Sequence, residues 1–305
     1  MIDGGSYDPP FHHPRLQGGM KISKRKHHVL FILPLLIFLS FMIIYSFISA
    51  LNISLRDAFL GYLNEMPFVG LKNFKQVIMS RDFWHSMKFS LKFATMTTGI
   101  ESVIGFFIAY FYYLYFRKNR MLLTLLILPM MMAPTLFGLM NRILFNNFIG
   151  LIPGYISALF NVDIDFFSNK NIIGTLVLID TLQWTPFVII IMFASFVSIP
   201  KSLIDAARID GAGSKSLLFR IILPLVIPSL ITASFLRFIE SFRVFDTIYV
   251  LTGGGPGNLT TSVSIYIYKM GFDMGIQGVA SAASLILFLI MLVPTLIAIK
   301  LIIRG

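Results

Sequence analysis

The 305-residue chain contains no cysteine, and only 13% of its residues are charged. The first absence excludes disulfide bonds and thiolate metal sites, and it leaves the redox compartment undetermined. The second, together with an apolar fraction of 56% and a mean hydropathy of +0.82, excludes an ordinary soluble domain. A net charge of +11 would suggest nucleic acid as the partner of a soluble protein. In this chain the basic residues follow membrane topology instead, so no nucleic-acid partner is expected.

Six apolar stretches are each long enough to cross about 30 Å of hydrocarbon at 1.5 Å per residue. They predict an all-α membrane protein, because in lipid the backbone must satisfy its own hydrogen bonds. The stretches are continuous and show no period-2 alternation, which excludes a membrane β-barrel. Pro129, Pro134 and Pro186 predict kinks or local unwinding in the third and fourth spans. The predicted spans are 29–51, 93–116, 121–140, 172–198, 221–245 and 279–299.

Lysine and arginine are distributed unevenly between the two sides of these spans. Fourteen of the 25 basic residues lie in the N-terminal tail, the turn 117–121, the loop 201–220 and the C-terminal tail. The positive-inside rule places that side in the cytoplasm, and with it both termini. An even number of spans requires the same arrangement. The sequence therefore predicts a multi-pass protein of the cytoplasmic (inner) membrane, surrounded by lipid.

The chain is expected to divide into a basic N-terminal tail, residues 1–27, and a transmembrane domain, residues 28–305. Residues 1–19 lack apolar periodicity and are predicted to be disordered. Met20 and the basic run after it make a more natural start, so a tag or a misassigned start is a second interpretation of residues 1–19. The basic run also resembles the start of a signal peptide, but a 23-residue span is long for one, and a retained first helix is expected.

A polar segment between the fourth and fifth spans has the pattern of a helix, a turn and a second helix. Residues 205–208 are compatible with a short helix, and Gly211 and Gly213 supply a turn in which a positive φ costs little. Ser214 is expected to cap the second helix, which presents an apolar face. Because the rest of the chain is nearly all lipid-soluble, this segment is predicted to contact something outside the bilayer.

A second motif follows the fifth span, where three glycines and a proline succeed Leu251 and Thr252. It lacks the Gly-x-x-x-x-Gly-Lys pattern of a phosphate-binding loop, and the charge bias places it outside the cell, so ATP binding here is rejected. The composition predicts an irregular loop that borders protein or a cavity. The outer loop motif consists of Gly253, Gly254, Gly255 and Pro256.

These two motifs resemble those of permease subunits from binding-protein-dependent ATP-binding-cassette (ABC) importers. The first is similar to the family's acidic-Ala-Ala, two residues, Asp-Gly-Ala pattern with a later Leu-Pro, here Leu223-Pro224. The second is similar to the Leu-Thr-Gly-Gly-Gly-Pro run of the carbohydrate-uptake (maltose-type) class. Asp205 stands where the family usually has Glu, and Phe219 lies one residue after the usual aromatic position. The resemblance covers about residues 25–303 and implies the six-helix transmembrane-domain fold of type I importers.

The resemblance also implies a function and partners. The chain would form half of the translocation pathway for a sugar or sugar derivative, beside a second, homologous permease subunit in a heterodimer. Two ATPase subunits would carry ATP and Mg²⁺, and an extracytoplasmic solute-binding protein would deliver the sugar. This chain would bind no cofactor or metal and would not be an enzyme. The ATPase-coupling loop, 201–220, would act through Asp205, Ala206, Ala207, Arg208, Asp210, Gly211, Ala212 and Phe219.

Polar side chains inside the spans are candidates for the translocation pathway. An ionisable group in hydrocarbon costs at least about 2.5 kcal/mol, so such groups usually face a bundle interior or an aqueous cavity. Gln183 and Trp184 combine an amide with an aromatic plane, which suits a sugar ring, although tryptophan is equally a packing residue. Arg237, Glu240 and Arg243 recur every three residues and predict a charge ladder, with a structural ion pair as the alternative. The pathway candidates are Gln183, Trp184, Glu240 and Tyr249.

Two other classes of protein share some of these features. An ion-coupled secondary transporter also uses kinked helices and polar groups at mid-membrane. The chain shows no inverted repeat, has only six predicted spans and carries the Asp-Gly-Ala loop on the predicted cytoplasmic side, all of which disfavour that class. An intramembrane enzyme is disfavoured because no HExxH motif and no Ser/His/Asp set occurs in the sequence.

Overall fold

The computed structural model describes residues 23–61 and 66–304, and within them the chain forms thirteen α-helices with short 3₁₀ and π-helical turns between some of them. The predicted disorder of residues 1–19 lies outside the described residues. The described chain divides into two compact units, of which the first ends at Ser49 and the second begins at Ala50. In chain order the helices are α1 (Ser23–Ser54), α2 (Lys72–Met79), α3 (Arg81–Phe111), α4 (Arg120–Ile127), α5 (Pro134–Leu144), α6 (Leu151–Phe160), α7 (Ile172–Ser198), α8 (Lys201–Ile209), α9 (Ser214–Ser216), α10 (Leu223–Phe242), α11 (Asp246–Thr252), α12 (Val263–Tyr268) and α13 (Gln277–Arg304).

Five helical segments of the described chain are long and apolar enough to cross a membrane, which confirms the all-α membrane class. The second of them begins well before the predicted start at residue 93, because Ser80 caps α3 by accepting a hydrogen bond from the backbone N–H of Phe83. Polar residues in its first turns hide this start in the sequence. The five segments are Ile32–Ser54, Arg81–Phe116, Ile172–Ser198, Ser214–Phe242 and Gln277–Ala298.

The kinks predicted at Pro129 and Pro134 are confirmed, and the predicted third span, 121–140, is not a single helix. After α4 the chain makes a 3₁₀ turn at Leu128–Met131, and α5 then leaves at an angle of 91°. Pro129 and Pro134 explain the break, because each lacks a backbone N–H and lies in the first turn of a new helical segment. The described chain thus has five spans, or six if the two bent arms cross the membrane together. The local unwinding predicted as one possibility at Pro186 is not seen, since α7 continues as an α-helix through this residue.

Helices α3, α7 and α10 form the centre of the second unit and pack against one another in all three pairs. Gly105 permits the closest approach of α3 to α7, because a Cβ atom there would lie 2.7 Å from Cβ of Val188. Between α3 and α10, the hydroxyl groups of Ser102 and Ser234 form a hydrogen bond of 2.7 Å. Small and hydroxylated residues therefore set the spacing of the three helices that carry the candidate site.

Three apolar clusters join further elements of the second unit to this centre. The first joins α3 and α7 to α8 and to the π-helical turn Leu217–Ile222 before α10. The second joins α3, α5, α7, α11 and α12, and the third joins α2, α3, α10, α12 and α13. The loop after α5 contains the short apolar helix α6. As a result, α7 contributes to a cluster shared with α8 and to another shared with α11.

Candidate functional site

Arg237 of α10 is 1% exposed and contacts carboxylates from three helices. Its Nε donates to Glu101 of α3 at 2.7 Å, and its Nη2 donates to the other oxygen of Glu101 at 2.9 Å. Nη2 also donates to Asp180 of α7 at 3.0 Å, while Nη1 donates to Glu240, one turn along α10, at 3.2 Å. The two-point contact with Glu101 is the geometry in which Arg–carboxylate pairs are strongest. These four residues are called the Arg237 cluster below.

The Arg237 cluster contains more acid than base. The side chains of Glu101 and Asp180 are 0% and 3% exposed, whereas that of Glu240 is 46% exposed. Burying a carboxylate is costly unless it is paired and hydrogen-bonded. Both buried acids therefore depend on the same guanidinium, which ties α3 and α7 to α10 at one level of the bundle.

A cavity of about 380 Å³ opens beside the Arg237 cluster and is called the central cavity below. Arg237, Asp180 and Glu240 present polar atoms to it, and Trp184 forms an aromatic wall. The Trp184 ring centre lies 4.8 Å from Cζ of Arg237, within the range of a cation–π contact. The far side is formed by the segment after α10, including Phe245 and Asp246. The space thus offers donors, acceptors and a ring face together.

Gln183 and Trp184 have different positions although they are adjacent in sequence. Trp184 lines the central cavity, whereas Gln183 is fully buried and is not part of its lining. The Gln183 Nε2 donates to the backbone oxygen of Met132 at 3.2 Å, and its Oε1 has no hydrogen-bond partner in the described part of the chain. Consecutive residues of a helix point about 100° apart, so the two side chains cannot share one face.

The predicted charge ladder of Arg237, Glu240 and Arg243 is present only in part. Arg237 pairs with Glu240, but its shorter contact is with Glu101 on another helix. Arg243 lies at the C-cap of α10, lines the central cavity and forms no ion pair among the described residues. The ladder stops there because α10 ends at Phe242.

The sequence predictions omit two residues of the cluster, Asp180 and, with the shortest contact to Arg237, Glu101. A signal for it exists, since a single acid within an otherwise apolar span needs a buried partner. Nothing in the spacing identifies that partner, because Arg237 lies 136 residues away in the chain. No group of His, Cys, Asp or Glu in the described ranges has the arrangement of a metal site.

Tyr249 belongs to an aromatic group next to the central cavity. Its ring stacks on Phe245 with the centroids 5.0 Å apart and meets the edge of Tyr268 at 5.2 Å. Phe245 lines the cavity and Tyr249 does not. A hydrogen bond with Tyr268 raises the pKa of the Tyr249 phenol above its ordinary value.

The outer loop motif, residues 253–256, is folded against the start of α12. Gly253 and Gly254 have φ values of +61° and +89°, which favour glycine. At Gly254 any larger residue would also clash, since a Cβ atom would lie 2.6 Å from Oγ1 of Thr261. The same Oγ1 donates to the Gly254 oxygen at 3.0 Å, and the buried Thr260 donates to Gly255, which precedes Pro256. The irregular loop predicted to border protein does so.

The polar loop 201–220 has the predicted order of helix, turn and helix, with two local differences. Gly211 has a φ of +83°, as expected, but Gly213 has a φ of −68° and is itself the N-cap of α9. Ser214 is therefore the first helical residue rather than the cap, and its side chain caps nothing. The turn needs positive φ at one glycine only.

Helix α8 has a buried edge and two exposed flanks. Ile204 and Ala207 are buried in the first apolar cluster. Asp205 and Arg208 line a cavity on one flank, and Ala206 is exposed on the other. Beyond the helix, Asp210 and Gly211 are exposed, Ala212 is half-buried, and Phe219 is 57% exposed. The residues predicted to face a partner are thus divided between different surfaces.

Comparison with known proteins gives consistent results. Residues 101–304 match the family model described as the inner membrane component of binding-protein-dependent transport systems. The trehalose/maltose transport system permease protein MalF of Thermococcus litoralis is 32% identical over 287 residues, covering 93% of this chain and 96% of the relative. The sn-glycerol-3-phosphate transport system permease protein UgpA of Yersinia pestis is 32% identical over 230 residues, covering 74% of this chain and 77% of the relative.

Among solved structures, a chain of a bacterial ABC transporter involved in the import of the acidic polysaccharide alginate has the same fold. The TM-score is 0.75 at 19% identity, and the match covers 92% of this chain and 99% of that one. None of these similarities supports the ion-coupled alternative.

Proposed function

The chain belongs to the inner membrane components of binding-protein-dependent transport systems, and we propose that it forms half of the translocation pathway of an ABC importer for a sugar or sugar derivative. Two relatives are named for trehalose and maltose and for sn-glycerol-3-phosphate, which are sugars and a polyol derivative. This chain covers nearly the full length of the first of them. A polyhydroxylated substrate is therefore the class to consider.

The observation that supports this substrate class most directly is the composition of the central cavity. Sugars present hydroxyl groups at their edges and C–H groups on their ring faces. Arg237 and Glu240 offer a donor and an acceptor for hydroxyls, and Trp184 offers a plane for a ring face. A cavity of about 380 Å³ suits one or two sugar rings. We propose that Trp184 and Glu240 contact the substrate, with Tyr249 and Gln183 supporting the wall from behind.

The coupling loop supplies the contact with the energy source. We propose that α8 and the turn after it lie in a groove of an ATPase subunit, a helix-in-groove contact made by the exposed Ala206, Asp210 and Gly211 and the half-buried Ala212. Phe219 extends this surface at its edge, whereas Asp205 and Arg208 lie on the other flank of α8. ATP and Mg²⁺ would remain on the ATPase pair, and this chain contributes only the docking surface.

The connection between the loop and the cavity runs through α7. Met192 and Phe196 of α7 share an apolar cluster with Ile204 and Ala207 of α8. Trp184 lies fourteen residues before the end of the same helix, or about 21 Å at 1.5 Å per residue. A displacement of α8 by the ATPase would therefore tilt the helix that carries the cavity wall. Coupling requires that both ends differ between two global states of the importer.

The remaining parts of the importer follow from this role. A second, homologous permease would complete the pathway, and a solute-binding protein would deliver sugar near the outer loop motif. The predicted orientation, with both termini and the coupling loop in the cytoplasm, is retained as part of the proposal.

The experiment that tests this function is uptake by proteoliposomes that contain the complete importer. Accumulation of maltose or trehalose should require the binding protein outside and ATP inside, and vanadate should stop it. Accumulation driven by an ion gradient without ATP would instead support the secondary-transporter class.

A further inference from the structure

A second cavity, of about 460 Å³, lies between α8 and the turn that follows α3, and it is called the basic cavity below. Arg117 and Lys118 contribute two cations from the turn, and Lys201 and Arg208 contribute two from α8. Asp205 is the single acid in its lining. The cavity therefore carries four positive charges and one negative charge, a net charge of +3.

These five charges are unpaired, in contrast to those of the Arg237 cluster. None of them forms an ion pair or a side-chain hydrogen bond with another described residue. The Arg117 guanidinium has only the Tyr113 ring below it, at 5.6 Å from Cζ to the centroid. Four cations around one space repel one another unless an anion lies between them. The surplus of three positive charges around one space therefore indicates an anionic ligand.

The turn that carries two of the cations is held in place. The hydroxyl of Tyr112, which is 2% exposed, donates to the backbone oxygen of Asn119 at 2.8 Å. The Asn119 side chain then caps α4 by accepting from the backbone N–H of Leu122 at 3.2 Å. On the opposite wall, α8 is fixed by the burial of Ile204. The two pairs of cations thus face each other across a site that exists before the ligand binds.

The walls of the basic cavity are not uniformly polar. Leu114 and Tyr115 also line it and are 45% and 69% exposed, next to Phe111, which is 55% exposed. A ligand with a phosphate group and an apolar chain would satisfy both kinds of wall. Basic sites beside cytoplasmic helix ends bind such headgroups in other membrane proteins.

We propose that the basic cavity binds the phosphate group of an anionic phospholipid. The acyl chains would lie along the exposed apolar surface at the end of α3, and the headgroup would bridge the turn and α8. The site leaves the opposite flank of α8 free, where Ala206 is exposed and Ile209 is 86% exposed. Lipid binding is therefore compatible with docking of the ATPase, and it would hold α8 against the end of α3.

The test uses the complete purified importer in detergent, with thermal unfolding as the readout, because a ligand that binds the folded state raises the unfolding midpoint. Phosphatidylglycerol, phosphatidylcholine and inorganic phosphate are titrated in separate series. Phosphatidylglycerol should raise the midpoint at lower concentration than phosphatidylcholine. This preference is the ratio of the phosphatidylcholine and phosphatidylglycerol concentrations that raise the midpoint equally. In the double variant R117Q/K118Q the ratio should fall by about fivefold for each cation removed.

The matched control is K215Q/R220Q, which removes two exposed cations of the coupling loop 201–220 that do not line the basic cavity. It should keep the wild-type preference. An unchanged preference in R117Q/K118Q, or an equal loss in both double variants, would overturn the site. If inorganic phosphate raises the unfolding midpoint as much as phosphatidylglycerol does, the cavity binds phosphate, but the proposal that the phosphate belongs to a lipid is overturned. Release of the ATPase subunits by R117Q/K118Q, with lipid preference intact, would assign these cations to the protein partner and overturn the proposal.

Discussion

Arg237 and Glu101 form a two-point ion pair of 2.7 and 2.9 Å between α10 and α3, and both side chains are almost completely buried. The pair lies where α3, α7 and α10 meet, because Asp180 of α7 contacts the same guanidinium. The central cavity begins at the exposed side of this contact, where Glu240 reaches solvent. The ion pair therefore positions the cavity wall as well as holding the helices.

Removing the guanidinium should destabilise the bundle more than removing any single acid. Arg237→Met leaves Glu101 and Asp180 buried without a cation, and losing one partner of a buried pair costs about 3–5 kcal/mol. The measurement is the yield and the thermal unfolding midpoint of the complete importer. Arg243→Met is the control, since Arg243 is exposed beside the same cavity and has no ion pair among the described residues. Equal midpoints for the two variants would contradict this role of Arg237.

The two glycines of the coupling loop should respond differently to alanine and proline. Gly211 has a φ of +83°, which proline cannot adopt and which strains alanine, whereas Gly213 has an ordinary φ of −68°. Both positions are open to solvent and have no atom within 4 Å of an added Cβ. Gly211→Pro should prevent co-purification of the ATPase subunits, and Gly211→Ala should weaken it. Wild-type recovery with Gly211→Pro, or an equal loss with Gly213→Ala, would show that the turn does not position the docking surface.

Alanine at Trp184 and at Gln183 should produce different defects. Trp184→Ala removes an aromatic wall of the central cavity, and an aromatic contact is worth about 1 kcal/mol, or roughly a fivefold rise in the substrate concentration for half-maximal uptake. Basal ATP hydrolysis should persist. Gln183→Ala removes a buried hydrogen bond to Met132 and should lower the yield of the complex rather than its apparent affinity. Both variants are measured in proteoliposomes. A lower apparent affinity with Gln183→Ala, together with a lower yield alone with Trp184→Ala, would show that Trp184 does not line the substrate site.

The absence of cysteine from the chain makes the orientation testable. A single cysteine in Ser214→Cys should resist a membrane-impermeant thiol reagent added to intact spheroplasts and should react after lysis. A single cysteine in Asn169→Cys, in the loop between α6 and α7, should react before lysis. Both positions are exposed, so burial does not confound the comparison. Labelling of Ser214→Cys from outside would overturn the cytoplasmic placement of the coupling loop.

Local patterns predicted the helical elements and both motif loops, because these depend on neighbours in sequence. The glycine with positive φ at 211 and the breaks at Pro129 and Pro134 are examples, since backbone geometry alone dictates them. The Arg237 cluster could not be predicted in the same way. Its contacts join residues 57 and 136 positions apart, and which acids reach the guanidinium depends on how the helices pack.

The position of Gln183 has a similar explanation. The sequence pairs it with Trp184, but a rotation of 100° per residue separates their directions, and the packed neighbours decide which one meets the cavity. The Met132 carbonyl is free to accept from Gln183 because the chain breaks after the 3₁₀ turn at Leu128–Met131. A continuous helix over 121–140 would have used this carbonyl in its own hydrogen bonds.

The most direct test of the central claim, that the space beside Arg237 is the sugar pathway, is protection of a cysteine by substrate. Asp246→Cys places one thiol in the lining of the central cavity, and Asn169→Cys places one on an exposed loop outside it. Both variants are assembled into the complete importer, and the rate of thiol labelling is measured with and without the sugar that the proteoliposomes accumulate. If the central cavity is the sugar pathway, this sugar slows labelling of Asp246→Cys and leaves that of Asn169→Cys unchanged. Equal rates at Asp246→Cys with and without a sugar that is demonstrably transported would contradict it.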